Sequence, residues 1–400
     1  MLFIMGFSEL VMKICALFQG GDQWWIARTM KHVSWDGIAH HDTIFPLFLF
    51  IAGVSFPFSY AKQLSSGMSS RSIYLKIFKR MLILIGLGII YNGFFKFDFA
   101  NLRVASVLGR IGLAWGFAAI LYINFKPMTR AIIAGATLIG YWLLICYVPA
   151  PDVPGADPLT MQGNLIGYVD RLLMPGRLIY DGGRFDPEGL LSTVPAIVSA
   201  MLGMFTGEFI RIPEEKISGS RKSLYMAGAT AAMLGLGLLW SLVFPINKML
   251  WSSSFVLVVG AYSLGMFALF YYIIDVKGWQ KWTLFFRVIG LNSITIYMAQ
   301  KIFSFSSVNK FFFSGIVAAS IRRKKSFSDC ITRVSSPTSD PTRSNSSPSA
   351  SFVAAVVRFA TSNSLPSTTL SIAILVPKIS LLSRIAPRLV MYIKFSSLLL

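Results

Sequence analysis

All three histidines of the chain fall in one stretch, KHVSWDGIAHHDTIFPLFLF (residues 31–50), beside Asp36 and Asp42. Imidazole exchanges its proton near neutral pH, so His32 has the chemistry of a general base or an acyl acceptor. It reads equally as a surface histidine in a solvated loop. Asp42 stands just before the apolar run TIFPLFLF. There it serves either as a cap accepting a backbone N–H of the next helix or as the partner that orients a histidine. His40, His41 and Asp42 together raise metal ligation. Adjacent histidines diverge on a helix or strand, however, and no fourth ligand stands at recognisable spacing, so no metal is expected.

A second candidate is Arg110 in VASVLGRIGLAW, several residues inside an apolar segment. An arginine there faces a polar cavity or an anionic partner, and its fork matches phosphate oxygens; otherwise it snorkels to the interface. Asn292 and Ser293 in IGLNSITIYMAQ, and the stretch FPINKMLWSSSF (residues 244–255), put amides and hydroxyls in or beside apolar runs. Such groups either bond across helices or line a cavity. FDPEGLLST (residues 185–193) has the proline and acidic residues of a helix start. Nucleophile-elbow, P-loop, zinc-protease and dinucleotide-binding signatures are absent, and Cys15, Cys146 and Cys330 lack metal or redox spacing.

The elements that must position these residues are transmembrane helices. Of 400 residues 54% are hydrophobic and 14% charged, against about 25% charged in soluble domains. Since about 20 apolar residues cross a bilayer, we expect an all-α, polytopic bundle. Nine spans are expected, near residues 2–18, 43–61, 75–95, 104–124, 130–148, 189–210, 223–244, 250–274 and 283–305. Loops 62–80, 125–130, 211–222 and 275–287 are rich in Lys and Arg, whereas 19–42 and 149–188 hold most of the aspartates. That alternation puts the N-terminus in the cytoplasm and the histidine stretch on the far side. The net charge of +20 comes from these loops and the C-terminal 80 residues, so nucleic acid is not the expected partner. No cleavable leader is expected either. Residues 1–320 read as one membrane domain. Residues 321–400 lack Gly, Trp, Glu and Gln and are rich in Ser, Thr, Pro and Arg. They read as a disordered tail, or, as we prefer, as out-of-frame sequence replacing the last helices.

Five segments in order, KHVSWDGIAHHDTIFPLFLFIAGVSFPFS, SVLGRIGLAW, FDPEGLLSTVPAIVSAMLGMFTGE, FPINKMLWSSSFVL and GLNSITIYMAQKIF, together resemble one family. It is the transmembrane acetyltransferases typified by heparan-alpha-glucosaminide N-acetyltransferase, in a bacterial branch. The resemblance covers roughly residues 1–315. It implies transfer of an acetyl group from cytoplasmic acetyl-CoA to the amine of a glucosamine on the lumenal or periplasmic side. It implies that His32 is catalytic with Asp42 beside it, and that Arg110, Asn292 and Ser293 lie toward the coenzyme. Trp35, Asp36 and Trp251 would line the acceptor side, with Asn247 and Lys248 lining or packing. The bilayer and an amino-sugar or glycan acceptor are the implied partners, a homodimer is compatible, and a bacterial cytoplasmic membrane is the implied location. Four features depart from the family pattern: no L-D-x-x-R-G precedes the first helix, the asparagine that animal members carry upstream of the histidine has only Gln19 nearby, Gln300 stands where animal members have histidine, and the final helices differ. Two rival readings are an O-acetyltransferase of an envelope polysaccharide and a sugar transporter. The transporter reading lacks the internal repeats common in such folds.

Overall fold

The computed structural model describes residues 3–18 and 20–302. The tail at 321–400, Cys330 and the last residues of the expected 283–305 span lie outside the described residues. A π-turn (Phe3–Phe7) leads into α1 (Ser8–Cys15), and α2 (Trp25–Thr29) follows. The long helices are α3 (His40–Ser65), α4 (Ser70–Tyr91), α5 (Val107–Asn124) and α6 (Pro127–Tyr147). After the short α7 (Leu165–Leu173) come α8 (Thr193–Ile210), α9 (Gly219–Trp240) and α10 (Ser253–Tyr271), then α11 (Thr283–Leu291) and α12 (Ser293–Ile302). The described residues hold isolated bridges but no strand. The all-α expectation therefore stands.

Six helices are long and apolar enough to cross a membrane: α3, α5, α6, α8, α9, and α10 continued to Val276. The chain is a multi-pass membrane protein, with six such spans among the described residues rather than nine. Each of the three differences has a local cause. The expected 2–18 span breaks at Gly6, whose φ of 108° no helix accommodates. The 283–305 span breaks at Asn292, which ends α11 and lets α12 start anew. At about 33 Å, the 22 residues of α4 would reach across a bilayer. Arg71, Lys76, Lys79 and Arg80 make its first half too charged to count by composition.

Helix starts follow local chemistry. Ser106 and Ser252 accept the N–H groups of Gly109 and Phe255 to cap α5 and α10, and Pro127 opens α6 where no donor is needed. The core is built on α3, which is apolar on every side and accordingly surrounded. Phe45, Leu49, Phe50, Val54 and Phe56 are all buried. α3 and α8 run parallel in near backbone contact. A Cβ on Gly53 would lie 2.2 Å from Ala200 O, and one on Gly203 2.0 Å from Phe50 O. Only glycine permits that approach, the usual device of packed membrane helices. Thus α3, α5, α8 and α10 all begin at one end of the bundle, the end that carries the histidines.

Candidate active site

His32 sits in the irregular segment between α2 and α3, and Asp42 is the third residue of α3. Nδ1 of His32 lies 2.6 Å from Oδ1 of Asp42. The carboxylate is buried and the imidazole half exposed. A carboxylate only accepts, so Nδ1 carries the proton, and in the neutral form of the ring Nε2 keeps its lone pair. The other oxygen of Asp42 accepts the N–H groups of Ala39 at 3.1 Å and Val33 at 3.3 Å. Capping the helix and orienting the histidine, alternatives in the sequence, are performed together by one side chain.

A third group joins them from far along the chain. Nζ of Lys248 lies 3.2 Å from Oδ1 of Asp42 and 3.1 Å from Nδ1 of His32. Lys248 belongs to the connection between α9 and α10, which is folded on itself. The amide oxygen of Asn247 accepts from Leu250 N at 2.9 Å, and Asn247 N donates to Ser252 Oγ at 3.0 Å. This connection is also fastened to the histidine segment. Asn247 Nδ2 donates to Asp36 Oδ1 at 3.1 Å, and Gly37 N to Ile246 O at 2.8 Å. Asp36 thus positions the lysine-bearing loop. Trp35 donates its indole N–H to Leu159 O at 2.9 Å and packs edge-on against Phe185, bracing the long 149–188 connection.

Trp251 is fully buried with a φ of 53°, a left-handed conformation that costs a bulky residue about 1–3 kcal/mol. It is held by Ser199 Oγ at 3.3 Å from its indole nitrogen and by Phe45, whose ring is 5.1 Å away. The guanidinium of Arg110 lies 5.0 Å from the Trp251 ring. Arg110 is itself buried in the first turn of α5, donating to Ser192 Oγ and to Gly189 O. It therefore does not snorkel, and it stands at the His32 end of the bundle. Its Nε has no partner among the described residues.

Around Arg110 the start of α8 gathers charge. Arg103 grips Asp186 through two bonds of 2.7 and 2.6 Å and also bonds Glu188. Burial opposes the charge on Arg103, but the two carboxylates outweigh it and raise its pKa. Asp170, on α7, is fully buried, accepting Leu190 N at 2.9 Å through one oxygen. Its other oxygen is unpartnered among the described residues and rests against Gly189. Burial pushes this carboxyl up to about 7, against the pull of the Leu190 N–H and Arg110.

The remaining expected residues go elsewhere. His41 meets Ser8 Oγ at 3.1 Å and stands edge-on to His32, while His40 packs on Phe3. Asn292, just past the end of α11, donates back to Val288 O, and Ser293 opens α12. Neither bonds to Arg110 or the His32 group among the described residues. Sequence reasoning gave Lys248 only a lining role and passed over Asp170 and Ser192. A lone lysine in FPINKMLW, bounded by aromatic and hydroxyl residues, was the available signal for Lys248.

No family model matches the chain. It is 29% identical over 348 residues to heparan-alpha-glucosaminide N-acetyltransferase of Mus musculus, covering 73% of this chain and 52% of that protein. To the Homo sapiens enzyme of the same name it is 28% identical over 350 residues, 74% and 51% respectively. The chain thus spans about half the length of the curated relatives it matches. The resemblance carried by the five motifs is borne out, and the chain is a relative of the heparan-alpha-glucosaminide N-acetyltransferases.

Proposed function

We propose that this chain is a membrane-embedded acetyltransferase, moving an acetyl group from cytoplasmic acetyl-CoA to an amino sugar or related glycan at the opposite face. One observation carries the reading. The 2.6 Å contact between His32 and buried Asp42 commits Nδ1 to a proton and leaves Nε2 free as base or nucleophile. In direct transfer, the acceptor nitrogen bonds to the thioester carbon while Nε2 takes its proton. The C–S bond then breaks and the proton passes to the departing sulfur. In the two-step route, Nε2 itself bonds to the acetyl carbon as the C–S bond breaks and the sulfur leaves as thiolate; the amine then bonds to the acetyl carbon, the C–Nε2 bond breaks, and the proton the amine loses passes to the thiolate. Asp42 holds the imidazole in either case, and Lys248 acts through Asp42, to which it donates.

Loop charge supports the direction, since the loops at the end away from His32 are the basic ones. A bacterial cytoplasmic membrane is the location in this reading. Trp35, Asp36 and Trp251 belong to the acceptor side, around the segment that carries His32. Arg110, at the same end, contacts the thioester portion of the donor. Asn292, at the break between α11 and α12, donates back to Val288 O, and neither it nor Ser293 has a role in this reading. The test is transfer of label from acetyl-CoA to glucosamine in membranes containing the full chain. Activity in the parent and none in His32→Ala is the expected result. Transfer that survives His32→Ala in folded protein would overturn the assignment.

A further inference from the structure

Running from the middle of α4 and α5 toward the end away from His32, a second cluster joins α3, α4, α5, α6 and α8. Fourteen residues separate Phe56 from Asp42 on α3, about 21 Å along the helix. The Phe56 ring is 5.6 Å from Trp115 and 5.4 Å from Tyr122, edge-on to both. The guanidinium of Arg80 lies 4.3 Å from the Trp115 ring, and that of Arg130 4.3 Å from the Tyr122 ring. One carboxylate serves this group, Glu208, and both its oxygens accept from Arg130 Nη2. Arg80 forms no ion pair among the described residues.

Three buried atoms of the cluster have no hydrogen-bond partner among the described residues: Nε of Arg80, Nε1 of Trp115 and Nε of Arg130. All three are N–H donors, and the cluster leaves no buried acceptor unpaired. Trp115 and Arg130 are themselves 5% and 3% exposed. Buried donors are costly to leave unmet. What would meet them is a group rich in acceptor oxygens and negative charge, and two cationic forks over aromatic faces specify phosphate. Lys62 in the last turn of α3, Lys76 and Lys79 in the first half of α4, and Lys126 just before α6 lie on the same side of the bundle, a field that gathers anions.

We propose that the Arg80–Trp115–Arg130 cluster is a phosphate site that binds the nucleotide end of the acyl-CoA donor. The inference rests on the acetyltransferase reading and deepens it: the phosphates are held here while the thioester reaches His32. An anionic lipid headgroup offers the same oxygens, so the experiment separates the two sources.

The full chain is reconstituted in nanodiscs of zwitterionic lipid, and binding of CoA and of adenosine 3′,5′-bisphosphate is measured calorimetrically. The bisphosphate carries the nucleotide phosphates without a thioester, so its binding does not depend on catalysis. Arg80→Gln is expected to weaken both ligands about tenfold or more, as loss of a charge-assisted bond requires. Trp115→Phe keeps the ring and removes the N–H, and is expected to weaken them several-fold. Arg80→Lys, which keeps charge and stem without the fork, guards against misreading a folding defect and is expected to fall between parent and Arg80→Gln. Lys281→Gln, outside the cluster, is expected to change nothing. Unchanged affinity in Arg80→Gln and Trp115→Phe would overturn the site while leaving transfer at His32 intact. So would a parent that acetylates glucosamine yet binds no bisphosphate. Bisphosphate binding lost in nanodiscs containing phosphatidylglycerol, together with Arg80-dependent retention of that lipid, would assign the site to headgroups and overturn the nucleotide reading.

Discussion

Asp42→Asn tests the centre of the site with one atom. Four donors converge on the carboxylate: His32 Nδ1 at 2.6 Å, Lys248 Nζ at 3.2 Å, Ala39 N at 3.1 Å and Val33 N at 3.3 Å. An asparagine offers one acceptor oxygen, and its NH2 must face two of these donors. If the oxygen stays with the backbone groups, the helix start survives and the NH2 faces His32. The ring must then accept at Nδ1, which moves its proton to Nε2 and removes the free lone pair. If the oxygen stays with His32, two backbone N–H groups are left against an NH2, and α3 loses its cap at about 1 kcal/mol. The first arrangement predicts a stable protein with kcat lowered about 10²–10⁴-fold, the usual contribution of general acid–base catalysis. The assay is label transfer to glucosamine with purified protein, alongside the melting temperature. Asp42→Asn within threefold of the parent kcat at unchanged stability would refute the tautomer argument, and with it the role of Asp42 as positioning residue.

Further predictions follow from neighbouring contacts. Lys248→Met should lower kcat about tenfold, as loss of one charge-assisted bond to Asp42 implies, and Lys248→Arg should recover part of it. Gly189→Ala places a Cβ 1.7 Å from the buried Asp170 carboxylate and should destabilise the fold by about 1–3 kcal/mol, read as a lower melting temperature. The carboxyl of Asp170 is raised from 3.8 to about 7 in the folded chain. Between those values the folded state holds a proton that the unfolded state has released, so stability falls as pH rises through that window. Asp170→Asn mimics the protonated form. Its melting temperature should move further above that of the parent as pH rises from 4 to 7, and an offset that does not change with pH would reject the shift.

The histidine site was legible in the sequence because its first two members lie ten residues apart across a helix start, where local chemistry brings them together. Lys248 arrives from 206 residues further on, and no spacing rule connects it to His32. Apolar runs revealed the helices, but hydropathy does not register a backbone that turns at Gly6 or stops at Asn292, so two expected spans were drawn through breaks. Arg110 was recognised as costly, yet a single sequence does not tell depth along a helix from depth in the protein. Its burial against Trp251 and Ser192 depends on how α5 meets α8 and the 244–252 connection. For the same reason the second arginine cluster was invisible, because its members come from five separate helices.

The connection from α9 to α10 has a further implication for how the chain tolerates change. Lys248 and Trp251 are three residues apart, and one reaches His32 while the other lies under Arg110. Adding or deleting one residue between them would put both out of register at once, whereas a point substitution disturbs one alone. The length of this connection is therefore fixed more tightly than its composition. Epitope tags and inserted domains belong instead near residues 152–158, where no residue is buried and no contact to the His32 group is made among the described residues.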